Sequence, residues 1–246
     1  MEPDSVEKLL RPRSVAVIGA SRDPSKIGHQ VLKNILSSGF QGVVYAVNPN
    51  ASEVLGVRCY SSILDVPGAV DLAVVAVPAR FVPQVVEECG RKCVKAVAVI
   101  SSGFKEVGNT ELEKEVVETA EKHGIRLLGP NIVGICDSVS PINASFCQGS
   151  PLKGEIAFIS QSGALAIALV GWTILKGVGL SDLVSLGNKA DLNETDFIEF
   201  FGRDPHTKVI TAYLEGIESG RRFMEVASKV STVKPVIVLK VGKAER

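Results

Sequence analysis

The stretch that decides the fold is Glu155-Ile-Ala-Phe-Ile-Ser-Gln-Ser-Gly-Ala-Leu165. Ile156 to Ile159 is a short apolar run with β-branched residues, the length of one buried parallel strand. Ser160, Gln161, Ser162 and Gly163 make a tight polar turn, and Ala164 opens a helix-forming run to about Lys176. A small-residue turn from strand to helix leaves free N–H groups at the helix start. The aligned peptide dipoles add roughly half a unit of positive charge there, so the turn suits an anion. The hydroxyls of Ser160 and Ser162 offer two more donors. The reading adopted is a phosphoryl site on Ser160, Ser162, Gly163 and Ala164. The bland alternative is a capped core helix that binds nothing.

Working outward, the same alternation extends both ways. Upstream, strands are predicted at Ser14 to Ile18, Val43 to Val47, Asp71 to Val77, Ala96 to Ile100 and Ile125 to Leu128. Helices fall between them at Ile27 to Ser38, Phe81 to Arg91 and Glu111 to His123. Downstream, strands are predicted at Leu183 to Leu186, Val209 to Leu214 and Pro235 to Lys240, with helices at Glu194 to Phe201 and Ser219 to Val230, the last capped by Ser219. Such alternation predicts an α/β fold with parallel sheets covered on both faces. Between the two runs, residues 137–154 are rich in Ser, Pro, Asn and Gly. They read as a linker in which Ile142 to Phe146 pairs as a strand edge. The expected domains are 1–136 and 155–246.

In the first unit Ser21, Asn48, Pro78, Ser101 and Asn131 each follow the carboxyl end of a strand, where ligands of doubly wound sheets lie. Ordinary turn chemistry produces the same residue types. The first turn, Gly19-Ala20-Ser21, lacks the G-x-G-x-x-G fingerprint, and the second strand ends in Asn48 rather than a carboxylate, so a dinucleotide is disfavoured. Arg22 and Lys26 beside that turn suit a ligand with extra phosphates near its ribose, such as coenzyme A. In the second unit Gly187-Asn188 and Glu215-Gly216 fall at strand ends around the Ser160–Gly163 turn. A carboxylate beside a phosphate site repels it, so Glu215 is useful only against a donor or cation, for example the ring nitrogen of a phosphorylated histidine.

Composition sets outer limits. Of 246 residues, 46% are hydrophobic and 22% charged, as in a globular protein with a sizeable core. Lysine plus arginine equals aspartate plus glutamate at 27 each, and aromatics are only 5%, so neither a nucleic-acid nor a membrane surface is indicated. Ala164 to Leu175 is too short to span a bilayer and reads as a buried helix. The five cysteines form no Cys-x-x-Cys pair and read as buried free thiols in a reducing cytoplasm, with no metal site. Ser162 lacks the first glycine of a G-x-S-x-G elbow, and His206 falls before a strand rather than after one, which disfavours the hydrolase reading. His29 and His123 read as structural.

Taken together, Val17-Ile18-Gly19-Ala20-Ser21-Arg22, Val47-Asn48-Pro49, Leu128-Gly129-Pro130-Asn131, Phe158-Ile159-Ser160-Gln161-Ser162-Gly163-Ala164, Leu186-Gly187-Asn188-Lys189-Ala190-Asp191 and Tyr213-Leu214-Glu215-Gly216-Ile217 carry a resemblance. The chain resembles the α subunit of ADP-forming acyl-CoA (acetyl-CoA) synthetases, relatives of succinyl-CoA synthetase. The resemblance implies a Rossmann-like CoA-binding domain followed by a flavodoxin-like domain. It implies interconversion of acyl-CoA, ADP and phosphate with acid, CoA and ATP, through an acyl phosphate and a phosphohistidine. CoA would lie over Gly19, Ala20, Ser21, Arg22, Lys26, Asn48, Pro49, Val77, Pro78, Ile100 and Ser101, with Asn131 at the thioester end. Ser162, Gly163 and Ala164 would cradle the phosphoryl group and Glu215 would hydrogen-bond the phosphohistidine. An ATP-grasp β subunit or domain would bring Mg-ADP or Mg-ATP, in an oligomeric cytoplasmic enzyme.

Two departures stand out. Asn50 replaces the family's usual lysine. The family's phosphorylated histidine lies shortly after the position of Gly242, and none of the three histidines here matches it, so this chain alone is not expected to complete the cycle. Two other classes compete: a CoA-binding regulatory module of a protein acetyltransferase, and an NAD(P) oxidoreductase.

Overall fold

The computed structural model describes residues 4–242. A short helix α1 (Asp4–Leu10) precedes β1 (Ser14–Ile18), α2 (Ile27–Ser37), β2 (Val43–Val47), β3 (Glu53–Val54), β4 (Val57–Tyr60), β5 (Leu72–Val75), α3 (Val82–Arg91), β6 (Ala96–Val99), α4 (Thr110–Lys122) and β7 (Arg126–Leu128). These strands form one sheet in the order β3-β4-β2-β1-β5-β6-β7, parallel except for the β3–β4 hairpin. The remaining strands are β8 (Gly134–Asp137), β9 (Ile142–Ser145), β10 (Leu152–Ser160), β11 (Gly179–Ser185), β12 (Val209–Leu214) and β13 (Val236–Lys240). They form a second sheet, β13-β12-β10-β11-β8-β9, with α5 (Gly163–Lys176), α6 (Glu194–Arg203) and α7 (Gly220–Ser231) between its parallel strands.

β1, β5 and β6 are buried at every position and consist of Val, Ile, Leu, Ala and Ser14. Continuous apolar runs of this kind belong to central parallel strands covered on both faces. In each sheet the strand order reverses beside the first parallel strand, between β1 and β5 and between β10 and β12. The reversal splays the flanking loops and opens a crevice at the strands' carboxyl ends.

Several expectations are corrected. Residues 137–154 are no bare connection: β8 and β9 are antiparallel members of the second sheet, and β10 already starts at Leu152. Strands of the second sheet therefore begin at Gly134. The strand edge expected over Ile142 to Phe146 is β9, whereas β8 has no counterpart in the sequence reading; all four residues of each strand are buried, and the Ser145 hydroxyl donates to the Asn143 side-chain oxygen at 2.6 Å. β11 begins at Gly179, where a side chain would meet the Lys153 carbonyl oxygen at 2.2 Å, so a residue that reads as a helix stop is a close strand contact. Ser219 occupies the cap position of α7 but makes no capping hydrogen bond. α5 is not a buried helix. Ala166, Val170 and Thr173 face the sheet, but Trp172 is 50% and Leu175 86% exposed, because the sheet covers only one side. Cys93 is exposed, whereas Cys89, Cys136 and Cys147 are buried and all five thiols are free.

The two sheets share one core. Val6, Leu9, Val15, Leu32 and Leu72 of the first unit join Ile135, Ala157, Phe197 and Leu214 of the second in a single apolar cluster. Polar clasps reinforce the joint. Asn34 of α2 donates to the Ser145 and Cys147 carbonyls at 2.8 and 2.9 Å. Arg11 reaches Asp137 at 2.9 Å and Asp204 at 3.0 Å. Arg126 makes a forked pair with Asp191, whose Oδ2 also accepts from the Leu127 N–H. This ties the start of β7 to the loop that follows β11.

Candidate functional site

The crevice of the first sheet is a cavity of about 850 Å³, within the range of ligand pockets. Gly19, Ser21 and Lys26 line it after β1, Asn48 and Pro49 after β2, and Val77 and Pro78 after β5. Gly19 has a positive φ of 93°, and a Cβ there would meet the Ala76 carbonyl oxygen at 2.4 Å. Only glycine lets the chain turn this close to its neighbour, leaving the turn's backbone bare toward the cavity. Gly28 plays the matching part on α2, since its Cβ would lie 1.9 Å from the Gly19 carbonyl oxygen. The space is therefore made by backbone approach, which fits a long ligand lying along the strand ends.

Other members of the expected set have different roles. Ala20 is fully buried under the turn. Asn48 donates to the Ala20 carbonyl at 2.6 Å and accepts from the Asn50 N–H at 2.8 Å, so its side chain ties two loops together. Arg22 is exposed, does not line the cavity, and donates to the Asn50 carbonyl at 3.4 Å. Ser101 donates to the Val77 carbonyl at 2.5 Å. His29 donates through Nδ1 to the Ser21 carbonyl, a structural role. Sequence reading missed Ser62, Phe81 and Glu88, which complete the wall; Ser62 donates to Glu88 at 2.6 Å. They lie on the β4 loop and before and within α3, and no strand-end pattern marks them.

The crevice of the second sheet opens a cavity of about 710 Å³ between the two units. Ile100 and Asn131 reach it from the first unit, and Gly163, Ala164, Gly187, Asn188 and Glu215 from the second. Ile27 lines both cavities, so the two lie side by side on either side of this residue. Asn131 has a φ of 62°, donates from its N–H to the Ser101 carbonyl at 2.9 Å and touches Asn188 through its side chain at 3.3 Å.

Ser162 is the cap of α5: its Oγ accepts from the Leu165 N–H at 3.3 Å. The Gly163 and Ala164 N–H groups have no acceptor among the described residues. Ser160 is a correction. It is fully buried and its hydroxyl donates to the Ser162 carbonyl at 2.7 Å, so it shapes the turn and offers no ligand donor. Glu215 is exposed at the cavity edge, and its turn is held by Gln161 and Lys189, neither foreseen as a site residue. Gln161 Oε1 accepts from the Glu215 and Gly216 N–H groups at 2.8 and 3.0 Å. Lys189 donates to the Gly216 carbonyl at 2.6 Å and to Glu194 at 3.0 Å. On the opposite wall, burial pushes the Glu106 carboxyl up, but hydrogen bonds from the Gly103 N–H and Asn188 outweigh it. Glu106 is held below the usual carboxylate range and is anionic. Among the described residues no group of three or more His, Cys, Asp or Glu is placed to hold a metal, and no helix is long and apolar enough to cross a membrane.

Residues 13–137 match the family described as CoA binding domain, and residues 153–246 match the succinyl-CoA ligase like flavodoxin domain. The chain therefore belongs to the CoA binding domain family, and carries a succinyl-CoA ligase like flavodoxin domain after it. It is 52% identical to the α subunit of acetate–CoA ligase (ADP-forming) I of Pyrococcus furiosus, over 98% of this chain and 54% of that one. It is 40% identical to 4-hydroxybutyrate–CoA ligase (ADP-forming) of Nitrosopumilus maritimus, over 96% of this chain and 34% of that one. Among solved structures, acetyl-coenzyme A synthetase 1 of Ca. Korarchaeum cryptofilum, in complex with phosphate and ADP, superposes with a TM-score of 0.95 at 52% identity. That match covers 97% of this chain and 52% of the other. The chain thus spans about half the length of the first of these relatives.

Proposed function

We propose that this chain is the CoA-binding and phosphoryl-pocket portion of an enzyme interconverting acyl-CoA, ADP and phosphate with acid, CoA and ATP. The observation that carries the reading is the pair of adjacent crevices. One is built for a long ligand by the close glycines Gly19 and Gly28. The other presents the free N–H groups of Gly163 and Ala164 next to Glu215. CoA lies along Gly19, Ser21, Lys26, Pro49, Val77 and Pro78. Its thiol end passes Ile27 toward Asn131 and the phosphoryl group on Ser162, Gly163 and Ala164. Glu215 accepts a hydrogen bond from a phosphorylated histidine supplied from outside the described residues. An ATP-grasp partner delivers the magnesium nucleotide, in a cytoplasmic oligomer. The names of the relatives, which differ in the acid they activate, support this reaction class and leave the acyl group open.

Calorimetric titration with CoA and with NAD tests the first crevice: CoA binds and NAD does not displace it. NAD binding in preference to CoA overturns the reading. Inorganic phosphate is expected to raise the melting temperature of the wild type and not of Ser162→Asp, whose carboxylate repels the anion. Equal protection of both overturns the second crevice.

A further inference from the structure

The walls of the second cavity present a charge problem. Its ionisable lining is Lys105 and Lys189 against Glu106, Glu215 and Glu218. Lys189 is moreover engaged by Glu194 and the Gly216 carbonyl. A phosphoryl group placed there meets a net negative lining, so neutral donors gain importance beside the Lys105 amine. Gln161 is a side chain of that kind whose orientation is settled and whose donor end, unlike that of Asn188, is not spent on a carboxylate. Its carboxamide meets two backbone N–H groups, those of Glu215 and Gly216, and only an oxygen accepts from both. The nitrogen end is therefore turned away from the Glu215 turn, on a side chain that lines the cavity, and it donates to none of the described residues. Its main chain is fixed as well, through the Gln161 N–H donating to the Tyr213 carbonyl at 2.9 Å.

Resting on the phosphoryl-pocket reading above, the geometry points to Gln161 as a two-ended positioning residue: its NH2 donates to the bound phosphoryl group while its oxygen fixes the Glu215–Gly216 turn. Occupancy of the pocket and the placement of Glu215 are thereby coupled through one planar amide. A phosphoryl oxygen that pins the NH2 also pins the oxygen against the two N–H groups, and so steadies further the turn that carries the Glu215 carboxylate.

The test uses this chain with inorganic phosphate as the probe. Gln161→Glu keeps an oxygen for both N–H groups and replaces the donor by an anion; Gln161→Met removes both ends. Phosphate affinity is read by calorimetry, and the protection of the Glu215 and Gly216 amides by hydrogen exchange in NMR. Gln161→Glu is expected to keep the amides protected and to weaken phosphate by about tenfold or more, the loss of one donor to a charged group. Gln161→Met is expected to lose both, and phosphate is expected to slow exchange of the two amides in the wild type. Unchanged phosphate affinity in Gln161→Glu overturns the donor role and leaves the phosphoryl-pocket reading standing. Phosphate binding without added protection of the two amides overturns the coupling. A wild type that binds no phosphate sinks the pocket reading and this inference with it.

Discussion

The two crevices occupy equivalent places, at the strand-order reversal of their sheets, yet they are built from different materials. The first is a backbone site. Gly19 and Gly28 remove side chains, and the Asn48 amide and Ser101 hydroxyl donate to main-chain carbonyls. The second is a side-chain site. Its turn is positioned by Gln161 and Lys189, and the opposite wall by an Asn188 that donates to Glu106 at 2.6 Å and Glu113 at 2.7 Å. The contrast suits the proposed ligands. A long carrier needs room and a bare backbone. A small anion beside a carboxylate needs oriented donors in fixed positions.

The comparison predicts which changes hurt which half. The largest effect is expected from Gly19→Val. It puts a β-branched side chain at a positive φ and against the Ala76 backbone, so CoA affinity falls by about a hundredfold or more while free volume in the second cavity is unaffected. Calorimetry with CoA and with phosphate separates the two; equal loss of both would erase the distinction between the sites. Next comes Lys189→Met. Its side chain is 4% exposed and that of Glu194 3%, so removal leaves a buried carboxylate alone and costs about 3–5 kcal/mol in a denaturant titration. A loss near 1 kcal/mol would mean that Lys189 is no structural anchor of the second site.

A smaller, pH-dependent effect belongs to the seam behind the second sheet. Asp182 of β11 stands directly opposite Asp137 of β8, and like charges so placed destabilise a sheet. Asp137 is hydrogen-bonded to Arg11 and to the Val139 and Ser140 N–H groups, whereas both Asp182 oxygens lack a donor. Burial, followed by the charge of Asp137, pushes the Asp182 carboxyl up to about 8. The folded form therefore holds a proton that the unfolded chain releases near pH 4. The sign follows: this contribution is fully present below about pH 4 and is lost as the pH rises through about 8. Asp204 and Glu106, whose carboxyls are held low, act in the opposite sense but at more acidic pH. The melting temperature is expected to fall from pH 5 to 8.5 in the wild type and to stay flatter in Asp182→Asn. Parallel profiles would show that Asp182 is ionised throughout.

Much of this was legible in the residues. Apolar β-branched runs ending in Gly, Ser, Asn or Pro marked the parallel strands, because buried parallel strands are continuous in hydrophobicity and their loops must turn at once. The turns at Gly19 and Ser162 were legible for the same local reason. Strands β3, β4 and β8 were not, since two to four residues with Asp, Arg or Cys carry no period. Ser160 was misjudged because a serine in a turn looks the same whether its hydroxyl faces a ligand or a carbonyl. The apolar composition of α5 suggested burial, but burial depends on what lies on the far side.

By itself the sequence determined the two alternating units, their strand-end turns and the family to which the chain belongs, all of which depend on residues near one another along the chain. Only the tertiary structure decided that the units share a core, that Ile27 borders two cavities, and that Gln161 and Lys189 hold a turn more than 25 residues away. Those facts depend on which carbonyl or amide a side chain meets across the sheet, and no local pattern encodes that meeting.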